Sequence, residues 1–375
     1  MLALINKILF NQVKGNPLFV IPIITYKCNA KCKMCEIWKI YKENPFLVKK
    51  EINLKYFLNF FKCINSTFFC EVLGGEPFLR KGLDKFLIRV FKETKNDYIG
   101  ISTNGFLNKR IFSQIKSVLS RIPEKKFFRI YISLDGPPYI HNQIRNVRNG
   151  AEKVEKLLFK LQELKEVYSN FKVFIVYTFS YFNIGHFKEF EEYVSKLPYD
   201  VIIPLFSYYV PEYYHNFSYG KFFKMLRKKE KILKKELIEF ENSKILKKDY
   251  LSKFFAKSCI YWILKKQRKI GCKAGKNFIV IDPFGNVKPC FRSKIIFGNL
   301  LYSNFKEIER NRKKFDSTNC NCNLFLHPFE NLIASPFSYF LSRLDFLVKN
   351  SFKDNVQKKF KTQKKIISSK GIPFL

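Results

Sequence analysis

The sequence predicts an α/β protein: a partial, TIM-like (β/α)6 barrel followed by a small cysteine-rich auxiliary domain. Three observations predict it. Six apolar runs rich in β-branched and aromatic residues recur between 18 and 206, each separated from the next by a segment with helical periodicity. These runs are almost continuously apolar, as expected of a parallel sheet covered on both faces. From 271 onward the texture changes to short β-runs punctuated by Gly, Pro and Cys. Six units curl into an open barrel where eight would close it, and the crossovers should be right-handed.

The elements follow in order. An apolar run over 18–26 is the first strand. A helix is predicted over 53–65, a strand over 67–73 and a helix over 82–94. Next come a strand over 98–103, a helix over 108–119, a strand over 127–134 and a long helix over 147–168. The barrel ends with a strand over 171–179, a helix over 186–197 and a strand over 201–206. The aromatic stretch 208–219 contains Pro211 and is expected to be a loop. A basic helix over 221–251 should turn its charge to solvent. The expected division is an amphipathic segment over 1–17, the barrel over 18–210, the basic connector over 211–265, the auxiliary domain over 266–340 and a basic tail over 341–375. Within the tail, 343–347 is apolar enough to pack, and 358–370 reads as mobile.

Composition narrows the function. An apolar share of 47% over 375 residues excludes wholesale disorder and a disulfide-stapled miniature. No uncharged apolar run reaches the ~18 residues of a membrane span, and the start lacks the pattern of a secretory leader. A cytoplasmic location is therefore expected. The net charge is +38, yet only 13 of 69 cations are Arg. A surface shaped to clamp phosphates favours the bidentate guanidinium. With Lys, Phe and Tyr all abundant, compositional drift is the leading account of the charge, so no specific nucleic-acid partner is expected. The basic tail and the amphipathic 1–13 favour, as a second account, peripheral contact with an anionic membrane surface.

The cysteines carry the chemistry. There are ten, and three stand within eight residues as Cys28, Cys32 and Cys35, spaced C-x3-C-x2-C directly after the first strand. Ligands of open α/β sheets bind beyond the carboxyl ends of the strands. Three thiolates can hold three irons of a [4Fe–4S] cube and leave the fourth iron open for a ligand. A zinc site lacking its fourth ligand is the plain alternative. Cys63 and Cys70 fall within apolar helix and strand patterns and are expected to be buried core thiols.

With this motif stand Gly74-Gly75-Glu76-Pro77 after the second strand, Ser102-Thr103-Asn104-Gly105 at the end of the third, and Ser133-Leu134-Asp135-Gly136 at the end of the fourth, followed by His141 and Arg145. Together they resemble the radical S-adenosylmethionine (radical SAM) superfamily over roughly 18–206. The resemblance implies a [4Fe–4S] cluster on Cys28, Cys32 and Cys35 whose open iron chelates the amino and carboxylate groups of SAM. It assigns SAM contacts to Gly74, Gly75, Glu76, Pro77, Asn104, Ser133, Asp135 and Arg145. Met34 and residues 201–203 are placed near adenine. Reductive cleavage to a 5′-deoxyadenosyl radical, fed by a low-potential donor of the flavodoxin or ferredoxin type, would then abstract hydrogen from a substrate. No catalytic acid, base or hydrogen donor is assigned.

Farther on, twelve residues separate Cys272 from Gly285 and four separate Gly285 from Cys290, a C-x12-G-x4-C spacing, with Cys320 and Cys322 beyond. This spacing resembles the start of a SPASM/twitch domain. It implies an auxiliary [4Fe–4S] cluster on Cys272, Cys290, Cys320 and Cys322, shortened relative to a full SPASM domain. Zinc on the same four thiolates, and Cys259 replacing one of them, stay open. Twitch-bearing relatives act on peptides, sugars, cofactors and small metabolites, and enzymes with a similar CNxxCxMCxIW run include some acting on lipids, so the substrate is not determined. The competing readings are an RNA-modifying radical SAM enzyme and a nonenzymatic, zinc-stapled nucleic-acid binder, which predicts steeply salt-dependent binding.

Overall fold

The computed structural model describes residues 15–64, 67, 69–246 and 272–317, with isolated positions at 253, 257, 258, 261 and 265. The expected amphipathic segment over 1–13, Cys259, Cys320, Cys322 and the C-terminal tail lie outside the described residues.

Six parallel strands form the barrel wall: β1 (Phe19–Pro22), β2 (Phe69–Val72), β3 (Tyr98–Thr103), β4 (Phe127–Ser133), β5 (Phe171–Phe179) and β6 (Val201–Phe206). Each pairs with its sequence neighbour, in the order β6-β5-β4-β3-β2-β1. Because side chains alternate across a strand, each strand serves two cores. One face points to the helices and buries Cys70, Ile99, Ile130, Val173 and Ile202. The other points into the lumen and buries Phe19, Ile21, Phe69, Tyr131 and Ile203.

Between these strands along the chain run α1 (Ile37–Glu43), α2 (Leu54–Cys63), α3 (Leu83–Glu93), α4 (Asn108–Leu119), α5 (Pro138–Arg145), α6 (Gly150–Val167) and α7 (Phe187–Val194). Helix α2 starts where Asn53 accepts a hydrogen bond from the Lys55 backbone N–H at 2.9 Å. Its inner stripe is Phe57, Phe60, Phe61 and Ile64, which leaves Cys63 off the stripe. Cys63 is accordingly exposed, not the buried thiol its apolar context predicts, whereas Cys70 is fully buried.

Two further expectations change. The helix predicted over 147–168 begins at Gly150, because Asn146 and Asn149 adopt left-handed backbone at φ 52° and 53°, and a separate helix, α5, precedes them. The stretch 208–219 is not a plain loop: α8 (Pro211–Tyr214) and a 3-10 turn (Phe217–Tyr219) occupy it, with Pro211 at the first helical position, where its missing N–H costs nothing. The basic connector forms α9 (Gly220–Lys228) and α10 (Glu230–Asn242), the latter burying Leu233, Leu237 and Phe240.

The auxiliary region does not stand apart from the barrel sheet. β7 (Phe278–Ile281) pairs in parallel with β1 from Phe19↔Phe278 to Pro22↔Ile281. β8 (Asn286–Lys288) and β9 (Gly298–Asn299) continue as antiparallel strands, giving one nine-stranded sheet. Helix α11 (Phe305–Lys314) closes this region, capped by Asn304 accepting from the Glu307 N–H at 2.9 Å.

Candidate active site

The cysteine loop leaves β1 and is held from three sides. Glu51 accepts from Thr25 Oγ1 at 2.5 Å and from the Tyr26 N–H at 3.2 Å, and is itself held by Arg80 and Tyr41. The last carbonyls of α5 accept from the loop: Lys33 N–H to Ile144 O at 2.9 Å and Lys31 N–H to Arg145 O at 3.3 Å. From the far side, Glu36 N–H donates to Tyr214 O at 2.9 Å, and Asn216 Nδ2 donates to Met34 O at 3.1 Å. The free carbonyls of a helix end thus satisfy a loop that has no ladder of its own.

The second motif runs beside the same loop. Gly75 N–H donates to Thr25 O at 2.8 Å and Glu76 N–H to Lys27 O at 2.7 Å, so residues 74–76 lie backbone to backbone against the approach to Cys28. A Cβ on Gly75 would stand 2.4 Å from Lys27 O, which is why no larger residue fits. The Glu76 carboxylate is buried behind this segment. It accepts from Thr103 Oγ1 and the Asn104 N–H, both at 2.8 Å, and from the Phe78 N–H at 3.2 Å. Burial pushes its pKa up to about 7 against those three donors.

Cys28, Cys32 and Cys35 open together on a cavity of about 290 Å³ at the barrel mouth, which Met34, Gly74, Gly75, Asn104, Ser133 and Arg145 also line. Asn104 Nδ2 lies 3.9 Å from Cys28 Sγ and donates to Asn29 Oδ1 at 2.7 Å. Arg145 Nη1 lies 3.8 Å from Cys32 Sγ, and its Nε donates to Asp135 Oδ2 at 2.6 Å. Ile203 and Leu205 of β6 form the apolar side of the cavity. Five of the eight residues expected to touch SAM therefore reach its wall. Glu76, Pro77 and Asp135 stand behind it: Glu76 orients Asn104, and Asp135 orients Arg145. A larger open cleft of about 540 Å³ lies elsewhere, lined by residues such as Glu51, Arg80 and Arg89, and has no thiol.

The donor set fits a cluster. Without metal, burial pushes the Cys28 and Cys32 thiols up and Cys35 up to about 12, so these sulfurs need a cation to become thiolates. The Arg145 guanidinium beside Cys32 works in the thiolate's favour. Among the described residues no three His, Cys, Asp or Glu side chains converge on one point as a single ion requires. A cube offers a separate iron to each thiolate, so its ligands surround a volume.

Cys272 and Cys290 are half-buried and pack with Cys28 and Cys35 around the lumen core. The segments carrying them adjoin, since Gly275 N–H donates to Pro289 O at 3.3 Å. The turn between β7 and β8 is built on Asp282, whose Oδ1 accepts from the Phe284 and Asn286 N–H groups, each at 3.0 Å. Asn299 ties that turn to β9 through Phe284 O at 3.0 Å.

Comparison with known proteins decides the family. The profile of the radical SAM superfamily matches residues 22–194. This chain belongs to the radical SAM superfamily. An iron–sulfur cluster-binding (SPASM) domain matches residues 272–325. Membership implies a [4Fe–4S] cluster that binds SAM, and the second domain implies auxiliary iron–sulfur binding.

Among curated proteins this radical SAM chain is similar to the GTP 3′,8-cyclase of Aliarcobacter butzleri (strain RM4018), 30% identical over 117 residues, covering 30% of this chain and 32% of that protein. It is also similar to the GTP 3′,8-cyclase of Helicobacter pylori (strain HPAG1), 33% identical over 102 residues, covering 26% and 31%. The chain thus spans about a third of the length of these relatives. Among solved structures, Streptococcus suis SuiB superposes with a TM-score of 0.51 at 15% identity over 81% of this chain and 69% of that one. A native anSMEcpe structure with bound AdoMet and Cp18Cys peptide gives 0.50 at 20% identity over 85% and 84%. These two share the fold. Among the described residues no helix is long and apolar enough to cross a membrane.

Sequence reasoning missed the lumen floor. Glu71 on β2, Ser102 on β3 and Arg129 on β4 also line the cavity, and so do Tyr213 and Phe291. The available signal was a charged residue at every-other spacing inside an otherwise apolar strand, as in the FFRIYIS run of β4.

Proposed function

We propose that this chain cleaves SAM reductively at a cluster held by Cys28, Cys32 and Cys35 and turns the resulting radical on a substrate in the barrel lumen. The observation that carries the reading is the joint opening of the three thiols, the Gly74–Gly75 backbone, Asn104, Ser133 and Arg145 on one cavity. Cys28, Cys32 and Cys35 would hold the cluster, which would supply the single electron that breaks the C5′–S bond of SAM, leaving methionine and a 5′-deoxyadenosyl radical.

The chain's own residues do the rest. Gly74 and Gly75 bring bare backbone to the wall, where polar ends of a small ligand can bond without a side chain between. Asn104 and Arg145 direct N–H donors at the cysteine loop and its neighbourhood. Met34, Ile203 and Leu205 give a planar base an apolar surface and keep water out. A low-potential donor of the flavodoxin or ferredoxin type supplies the electron. Cys272 and Cys290, with Cys320 and Cys322, hold the auxiliary cluster. Four protein thiolates there leave no open iron, so its part is electron transfer or support of the β7–β8 region. The substrate kinds named for the relatives are a nucleotide and, for the solved structures, peptides.

Anaerobic reconstitution followed by SAM and a strong reductant tests this. Wild-type protein should release 5′-deoxyadenosine, and Cys32→Ala should not. A wild-type holoprotein with full iron and sulfide content that releases none overturns the reading.

A further inference from the structure

We infer that Arg129, inside the barrel, is the anchor for an anionic group of the substrate, a carboxylate or a phosphate. The inference rests on the lumen being the substrate chamber, as proposed above. Arg129 sits in the middle of β4, between Phe128 and Ile130, which face the helices. Its own side chain faces the lumen and lines the same cavity as the three thiols. There the guanidinium carbon stands 5.4 Å from the Phe174 ring centre, 5.5 Å from Tyr98 and 5.7 Å from Phe69. Among the described residues it makes these ring contacts and no hydrogen bond or ion pair.

Aromatic faces attract a cation but accept none of its N–H groups in the guanidinium plane. A half-buried guanidinium with its donors unmet is costly to keep unless something arrives to use them. The planar fork matches carboxylate and phosphate oxygens two at a time.

The neighbouring strands keep this cation from being neutralised. In the parallel register Glu71 faces Gly100, and Gly100 faces Arg129, which puts the two charged residues about 10 Å apart at the strand spacing. They do not meet across the glycine. The space a Gly100 side chain would fill is taken by Tyr131 and Phe69, at 2.4 Å and 2.7 Å from an added Cβ. These two rings pack edge to face, with centres 6.5 Å apart, as a wall between the charges. Glu71 is bonded instead to Ser102 Oγ at 3.3 Å. On the other side Lys172, in register with Arg129, adds positive charge but lies 3.8 Å from Asp200. Among the described residues, this cation in the chamber thus has aromatic walls, no counter-ion and open donors.

Titration calorimetry of the anaerobically purified holoprotein tests the site, with inorganic pyrophosphate and malonate as probes at constant ionic strength. One of them should bind the wild type and lose about tenfold or more in affinity in Arg129→Gln. Preference for pyrophosphate identifies a phosphoryl source, and preference for malonate a carboxylate source. Glu71→Gln removes the nearby negative charge and should tighten the same probe severalfold. If Arg129→Gln loses its cooperative thermal transition, Glu71→Gln decides, and unchanged affinity there overturns the proposal. Neither probe binding the wild type, or equal binding by a folded Arg129→Gln, also overturns it. A preparation that binds the probe through Arg129 yet releases no 5′-deoxyadenosine upholds the anion site and overturns the proposed reaction. The opposite pair of results upholds the reaction and overturns the site.

Discussion

Arg145 Nε stands 2.6 Å from Asp135 Oδ2, and this buried pair aims the same guanidinium at the Cys32 sulfur. Asp135 is in turn fixed by the Thr178 N–H at 3.1 Å and donates its own N–H to His141 Nδ1 at 3.1 Å. The turn after β4, the helix α5 and the cysteine loop are therefore one polar unit, and its members should respond to substitution together.

Asp135→Ala leaves the Arg145 charge buried without its partner. The expected loss is about 3–5 kcal/mol of stability, read from a denaturant midpoint. The double variant Asp135→Ala/Arg145→Met should lose less than the sum of the two single losses, because no lone charge remains. Strict additivity would mean that the two residues act independently.

Gly75→Ala forces a methyl against the Lys27 and Tyr26 carbonyls, 2.4 Å and 2.7 Å from the ideal Cβ. Backbone on both sides cannot rotate away as a side chain could. Destabilisation of about 1–3 kcal/mol is expected, with a lower iron content because the shift passes directly to Cys28. A variant matching wild type in thermal midpoint and iron content would show that the two backbones can separate freely.

Two buried groups give opposite pH slopes. Glu76 has its folded pKa raised to about 7 from 4.5 by burial, so its contribution is full below the lower value and is lost as pH rises through the higher one. His141 is pushed down to about 3 from 6.5 by burial, so its contribution is present above 6.5 and fades as pH falls. Between about pH 5.5 and about pH 6.5 the two partly cancel. Glu76→Gln should therefore make stability rise more steeply with pH across that interval, and His141→Gln should make it fall. Denaturant midpoints at the two ends measure both slopes, and a slope unchanged by either substitution refutes the assignment for that group.

Cys32→Ala and Cys290→Ala address the two proposed metal sites. Each should lower the iron bound per chain, and the double variant should lower it by the sum, since the losses are expected at separate clusters. A double variant holding as much iron as either single variant would place both cysteines on one centre.

Much of this was legible along the chain. Strands β3, β5 and β6 and helix α4 fall where apolar runs and helical spacing put them, because those patterns are local. The cysteine triplet was identifiable by its spacing after the first strand, and Gly74, Gly75, Asn104, Ser133 and Arg145 by the resemblance of their motifs to the radical SAM superfamily. The sequence reading located Arg145 but not the helix it ends, for α5 is short and closed by a left-handed asparagine.

By itself the sequence determined the alternating β/α order, the parallel sheet and the thiols that mark its mouth. Tertiary structure alone decided that β7 joins β1, that α5 carbonyls hold the cysteine loop, that Cys63 lies outside, and that Arg129 meets three aromatic rings rather than Glu71. The physical reason is that periodicity specifies which face a residue occupies. Which residues share that face from other strands depends on register and curvature, and these are set only when the whole sheet packs.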